Sequence, residues 1–237
     1  MSFPTYQPAG DQAVLVSYEE KIDHKINEKV RFLSEAITQQ GFPWMRETIF
    51  SYRSLLVIYD PQKVHFPEVV EAIKKIEQGL GLTPSTLPDT YEIPTVYGGV
   101  HGPDLKRVAE ITSLSPKEVI DLYSSTTFTI YFLGFLCAQP YLGGLPEKLH
   151  VPRLDNPRLH MPAGSVGIGG IQASLITIDQ PSGHNFIGRT FLCLYDPMKI
   201  PPTPLRAGDR IIFKPISERE IPSMRGKDPV KKDKVFL

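Results

Sequence analysis

The chain has 237 residues, 41% of them hydrophobic, and 26 basic residues balance 26 acidic ones. That length suits two modest domains or one large one, with apolar material enough for a packed core. A net charge of zero lacks the electrostatic footprint of a protein that binds nucleic acid or an anionic membrane.

In chain order, Ala13 to Tyr18 reads as a strand. Asp23 is placed to cap a following helix, because its carboxylate can accept from unpaired N–H groups. Ile26, Val30, Leu33 and Ile37 then recur at helical spacing, and Gly41 stops the run. Thr48 to Tyr52 and Ser54 to Tyr59 read as strands. Pro67 opens a second helix, with Val69, Val70, Ile73 and Ile76 on one face and Gly79 at its end. The order β-α-β-β-α, with one closing strand, is the ferredoxin-like plan. Residues 81–90, GLTPSTLPDT, read as a linker. Tyr91 to Val96 starts the next unit. Helices follow over Asp104 to Ile111 and Pro116 to Tyr123, the second opened by a capping box of Ser115 and Glu118.

After Ser125 the helical period is gone. Thr127 to Leu133, Ser165 to Ile168, Ala173 to Ile178, Phe191 to Tyr195 and Arg210 to Pro215 are apolar runs separated by Gly, Pro and Asp turns, the spacing of a barrel or sandwich. The Lys-rich end reads as a poorly ordered tail. The expected organisation is an α+β domain over 1–84, a β domain over 85–220 and a charged tail over 221–237.

The longest apolar stretch, Phe128 to Ala138, falls short of the ~20 residues that span a bilayer, and the N-terminus lacks the pattern of a signal peptide. Cys137 and Cys193 are the only cysteines and read as reduced thiols of a cytoplasmic protein. The six histidines form neither HxH nor HExxH, so no metal site is expected. His160 and His184 are candidates for a binding role. Gly164 to Gly170, GSVGIGG, has neither the lysine of a phosphate loop nor a helix after it, and reads as a bend between strands. Ala163 to Gly167 has the outline of a nucleophile elbow around Ser165, but again no helix follows. A hydroxyl that bonds a ligand or a turn is the better reading of Ser165. Arg153 and Arg158 each follow a proline in VPRLDNPRLHMPAG. Either they hold a carboxylate, which a guanidinium fork grips bidentately, or they tie loops to backbone carbonyls or to Asp155.

Read together, LGFLCAQPYLGGL, PRLDNPRLHMPAGSVGIGGIQ, FIGRT, LYDP and LRAGDRIIFKPI resemble the kinase-inhibitor/allophanate hydrolase subunit 1 family. GDQAVLVSYEEKI, FSYRSLLVIYDP, IPTVYGG and GPDL extend the resemblance over nearly the whole chain. It implies a ferredoxin-like N-terminal domain and a cyclophilin-like β-barrel C-terminal domain. It also implies work as the B component of a multi-subunit ATP-dependent 5-oxoprolinase, which converts 5-oxoproline to glutamate. Such a component is inactive without its partners, a related C component and an A component. The resemblance leaves two alternatives: inhibition of a sporulation histidine kinase, and a role in urea or allophanate metabolism. On the first reading Arg153 and Arg158 would hold the substrate carboxylate. Ser165 and Gln172 would bond the lactam or a phosphorylated intermediate, with Tyr141 and Arg189 as further binding residues, and ATP would be shared with the partners. The chain departs from the family pattern at Cys137, Ala138 and Gln139 (usually Pro, Gly, Phe), at Tyr123 (usually His), at Ala173 to Thr177 and at His184 (usually Trp).

Overall fold

The computed structural model describes residues 3–81, 87–134 and 136–232. The chain divides into two units, Met1–Leu87 and Pro88–Leu237; the boundary expected at residue 84 lies outside the described residues.

Unit 1 contains β1 (Thr5–Pro8), β2 (Ala13–Ser17), α1 (His24–Gln39), β3 (Met45–Phe50), β4 (Ser54–Tyr59) and α2 (Phe66–Gln78). Asp23 caps α1, accepting from the Lys25 and Ile26 amides at 3.0 and 3.2 Å. The apolar stripe of α1, the inner faces of β2 and β4, and Val69 and Ile73 of α2 form one core. The four strands make an antiparallel sheet in the order β1-β2-β4-β3. The expected run of strands and helices is present. The position beside β2 is filled by β1, from the start of the chain, not by a strand after α2. β1 has four residues, ends in proline and has no apolar alternation, so the usual strand signals are missing. Glu77, at the end of α2, accepts from Tyr18 Oη at 2.7 Å and from the Tyr6 hydroxyl, and pairs with Lys29 Nζ at 2.8 Å. Burial pushes the Glu77 carboxyl up, but these three partners outweigh it and hold it below its ordinary value.

Unit 2 contains β5 (Thr90–Tyr97), α3 (Leu105–Thr112), α4 (Pro116–Ser125), β6 (Phe128–Leu133), β7 (Pro140–Gly143), β8 (Arg158–Met161), β9 (Ser165–Gly169), β10 (Gln172–Leu175), β11 (Gln180–Ser182), β12 (Asn185–Arg189), β13 (Arg210–Pro215), α5 (Ile221–Met224) and β14 (Val230–Lys231). β12, β9, β10, β7, β6, β13 and β5 follow one another around a ring, and pairing of β12 with β5 closes it. The result is a seven-strand barrel, in which closure leaves no free sheet edge. All pairs are antiparallel except β5 with β13. Val166, Ile168, Ala173, Leu175, Leu142, Ile130 and Phe213 fill the core. α4 begins with the expected capping box: the Glu118 amide donates to Ser115 Oγ at 3.2 Å, and the Ser115 amide donates to the Glu118 carboxylate at 2.8 Å.

Two expectations for this unit fail. Phe191 to Tyr195 is not a strand; the wall of the barrel is made just before it, by β12. β12 contains Asn185 and Gly188, which lower its strand signal, yet both are buried. The apolar run after it is held as a loop, with the Gly226 amide donating to the Phe191 carbonyl at 3.0 Å and the Cys193 amide to the Lys227 carbonyl at 2.8 Å. The expected tail therefore belongs to the unit as far as residue 232: α5 lies in it, and β14 pairs with β5.

Candidate functional site

A cavity of about 270 Å³ lies on unit 2, lined by residues 136, 139–141, 153, 172–174, 176 and 180–184. It is not the barrel lumen. Side chains alternate along a strand, so Leu142, Ala173 and Leu175 enter the core while Tyr141, Gln172 and Ser174 face outward into the cavity. The turn after β10 and the β11 segment form the opposite wall.

Arg153 is the one charged side chain among the described lining residues at neutral pH. It is exposed and reaches Gln172 Oε1 at 3.4 Å. Tyr141 is held by Phe132, whose ring stacks on it at 4.4 Å and 11°. Gln180 Nε2 donates to Gln139 Oε1 at 2.6 Å across the cavity. The His184 ring packs against Gly169, where an added Cβ would come within 2.2 Å of it, so this contact requires glycine. Burial, and to a lesser degree the Arg153 charge, lower the His184 pKa to about 4. The imidazole is thus neutral at physiological pH. Ser174 is only 3% exposed, and its hydroxyl has no hydrogen-bond partner. A buried hydroxyl without a partner costs stability, and Ser174 is the lining residue that carries one.

The structure brings together Arg153, Gln172, Tyr141, Gln139 and His184 from the residues singled out in the sequence, and separates the rest. Arg158 does not line the cavity. Its two terminal nitrogens bind the Asp104 carboxylate at 2.8 and 2.5 Å, and Asp104, 4% exposed, also accepts from the Phe186 amide at 2.8 Å. Arg158 is a structural arginine, and its partner is Asp104, not Asp155. Ser165 is buried, is not among the cavity-lining residues, and donates to the Pro162 carbonyl at 2.7 Å as a turn hydroxyl. Arg189 lies at the other end of β12 from the cavity. Tyr123 is fully buried among Phe128, Phe213 and Tyr97, its hydroxyl on the Gly167 carbonyl at 3.3 Å. That departure from the family pattern is a matter of core packing. Cys137 and Ala138 sit in the loop whose ends, Leu136 and Gln139, border the cavity. His160 pairs with Asp179 at 3.1 Å outside the cavity. The sequence reading missed Ser174 and Gln180. Strand alternation from Gln172 would have found Ser174.

Gly164 to Gly170 does not fit a phosphate cradle. The Gly164 amide donates to the Ile176 carbonyl at 2.8 Å, the Gly170 amide to the Val151 carbonyl at 2.8 Å, and Ser165–Gly169 is a strand paired on both sides. Among the described residues no group of three or more His, Cys, Asp or Glu side chains could hold a metal ion, and no helix is long and apolar enough to cross a membrane. Unit 1 has a larger groove of about 820 Å³ between α1 and α2. It runs up to Gly81, where the described residues break off, and no unpartnered polar group comparable to Ser174 lines it.

The family described as carboxyltransferase domain, subdomain C and D, matches residues 4–205. The chain belongs to this family. It is 39% identical over 225 residues to the B component of 5-oxoprolinase from Bacillus subtilis strain 168, covering 89% of this chain and 92% of that protein. It is 37% identical to the corresponding 5-oxoprolinase B component of Escherichia coli O157:H7, covering 88% and 94%. The crystal structure of the K. lactis urea amidolyase superposes with a TM-score of 0.78 at 19% identity, over 97% of this chain and 16% of that one, a likeness of fold.

Proposed function

We propose that the chain is the B component of an ATP-dependent 5-oxoprolinase and that the cavity on unit 2 binds the substrate. The observation that carries this is the lining itself: one cation beside neutral hydrogen-bonding groups, around a volume of small-metabolite size. 5-Oxoproline is a five-membered cyclic amide bearing one carboxylate. Arg153 supplies the charge-assisted bonds for the carboxylate. Ser174 Oγ and Gln172 bond the lactam, and the stacked ring of Tyr141 forms a wall. Because His184 is uncharged, its imidazole can accept from the lactam N–H and does not compete with Arg153 for the carboxylate.

Opening the lactam needs its carbonyl activated, and ATP supplies that when bound. The glycine-rich segment has its amides committed, so no step is assigned to ATP on this chain. The relatives, each named as one lettered component of a larger enzyme, support partners, taken here as a C component and an A component. In the same reading unit 1 is ferredoxin-like, the barrel is cyclophilin-like, and the two free cysteines sit in the reducing cytoplasm.

The test is co-expression with those two components and an assay of ATP-dependent 5-oxoproline hydrolysis. Arg153→Ala is expected to raise KM by about 10- to 100-fold, the worth of a charge-assisted hydrogen bond. Ser174→Ala should lower kcat/KM about tenfold with unchanged or slightly higher stability, since it removes a hydroxyl that has no partner. Wild-type kinetics in both variants would take the cavity out of the reading. Turnover by the chain alone would refute the need for partners, and hydrolysis of urea or allophanate in place of 5-oxoproline would move the complex to that chemistry.

A further inference from the structure

We propose that Arg189 and Arg225 form a second binding site on unit 2, for a phosphate group. Neither residue is among those that line the cavity, and Arg189 ends β12, the strand that His184 precedes.

Both guanidiniums sit on one ring. Arg189 Cζ is 5.0 Å from the centroid of Phe191, and Arg225 Cζ is 5.7 Å from it. The backbone holds Arg225 there, because the bonds from Gly226 to Phe191 and from Cys193 to Lys227 lay its segment along the Phe191 loop. Arg189 is anchored by Nε, which donates to the Ala163 carbonyl at 3.0 Å. That bond leaves its two terminal amino groups available. Among the described residues neither guanidinium is ion-paired, in contrast with Arg158 on Asp104. Asp179 accepts from the Ala163 amide at 2.7 Å and from His160 at 3.1 Å, and its charge acts on Arg189 without an ion pair between them. Burial lowers the Arg189 pKa; Asp179 opposes this and the Arg225 charge adds to it.

The two cations beside one aromatic ring repel each other, and a bound anion would relieve that repulsion. A single guanidinium satisfies a carboxylate. Two forks of N–H donors match the two charges and three oxygens of a phosphate group. The phosphate can belong to free phosphate or to a nucleotide.

The experiment follows 31P line broadening of inorganic phosphate, and separately of ATP, on titration with the full chain. Arg225 is exposed and the loop contacts are made by the backbones of Gly226 and Lys227, so Arg225→Gln should keep the fold, as its melting curve will show. Saturable broadening is expected in the wild type and in Lys117→Gln, an exposed charge-matched control on α4. In Arg225→Gln binding should weaken about tenfold, the loss of one charge-assisted hydrogen bond. Binding of both probes with equal affinity assigns free phosphate; tighter ATP binding with the same sensitivity to Arg225 assigns a nucleotide. Absence of saturation with both probes would overturn the proposal. So would an unchanged affinity in Arg225→Gln, an equal loss in Lys117→Gln, or displacement of phosphate by acetate at equal concentration.

Discussion

Both units leave buried polar atoms without a partner, Arg31 Nε in unit 1 and the Ser174 and Thr177 hydroxyls in unit 2, but of these only Ser174 lines the cavity. Unit 1 gathers a carboxylate, two phenols and an ammonium at Glu77, and every one of them has a partner within the cluster. Unit 2 does the same at Asp104, where Arg158 and the Phe186 amide converge. Beside that, however, it keeps hydroxyls at Ser174 and Thr177 with nothing to bond and a histidine held neutral at the cavity wall. Buried polar groups in folded proteins are normally satisfied, and each exception calls for an explanation. A satisfied cluster holds elements together; an unsatisfied one is ready for a ligand. On the proposed reading, the unpartnered hydroxyl at the cavity favours binding on the barrel.

The sharpest way to break this comparison is at Arg158. If it belongs with the satisfied groups, Arg158→Met leaves Asp104 buried with no counter-charge. The expected loss is roughly 3 kcal/mol of stability, at the low end for a broken buried pair because the arginine is partly exposed. Urea unfolding measures it, and any activity that survives in the complex should show an unchanged KM. A variant as stable as the wild type but with a raised KM would return Arg158 to the cavity.

That reassignment shows where sequence reading stops. The helices were legible because their signals are local: the Asp23 cap, the 3.6-residue stripe of α1 and the Ser115–Glu118 box all lie within a few positions of what they determine. Arg158 and Asp104 are 54 residues apart, and nothing near either residue announces the other. The cavity was half legible. Arg153 stood out by residue type and Gln172 through the family resemblance, but Gln180 comes from β11, which pairs with β8 and carries no local signal of the cavity. β12 was misplaced for a related reason. Its strand identity comes from pairing with β9 and β5, not from the propensities of Asn185 and Gly188.

Acid separates the two units next. His184 has a folded pKa of about 4, below the 6.5 of a free histidine, so the unfolded chain takes up the proton first. Its contribution to barrel stability is complete above pH 6.5 and falls as the pH drops to about 4, by about 3 kcal/mol at ~1.4 kcal/mol per pKa unit. Glu77 is also lowered, below 4.5, but for a carboxyl that shift favours the charged form. The stability it gives unit 1 is complete above 4.5 and is lost only as the pH falls below that, through its lowered pKa. The barrel should therefore weaken at a pH where unit 1 is intact. The single tryptophan, Trp44, lies in unit 1 and stacks on Phe42 at 4.5 Å. Its fluorescence follows unit 1 while amide exchange follows the barrel. Between pH 6.5 and 4, barrel protection should fall with Trp44 emission steady, and His184→Phe should flatten the barrel response. Parallel loss of both signals in the wild type would contradict the assignment.

The smallest effect concerns the loop at the cavity mouth. Cys137 and Ala138 have φ of 48° and 54°, the left-handed region, which costs a residue other than glycine roughly 1–2 kcal/mol. The loop is closed by the Gly134 amide on the Gln139 carbonyl at 2.8 Å and the Gln139 amide on the Leu136 carbonyl at 3.1 Å. The resemblance implies glycine where this chain has Ala138, and glycine would adopt this φ without the Cβ penalty. Strain that persists next to a binding site is held there by the surrounding structure. Ala138→Gly should relieve it, partly offset by the greater freedom glycine gives the unfolded chain, for a net gain of about 1 kcal/mol or less. A rise of a few degrees in Tm would register the gain. If kcat/KM falls in the same variant, the strain serves to position Gln139 against Gln180. If Tm drops instead, Ala138 makes contacts worth more than its backbone costs, and the mouth of the cavity joins the satisfied regions of the molecule.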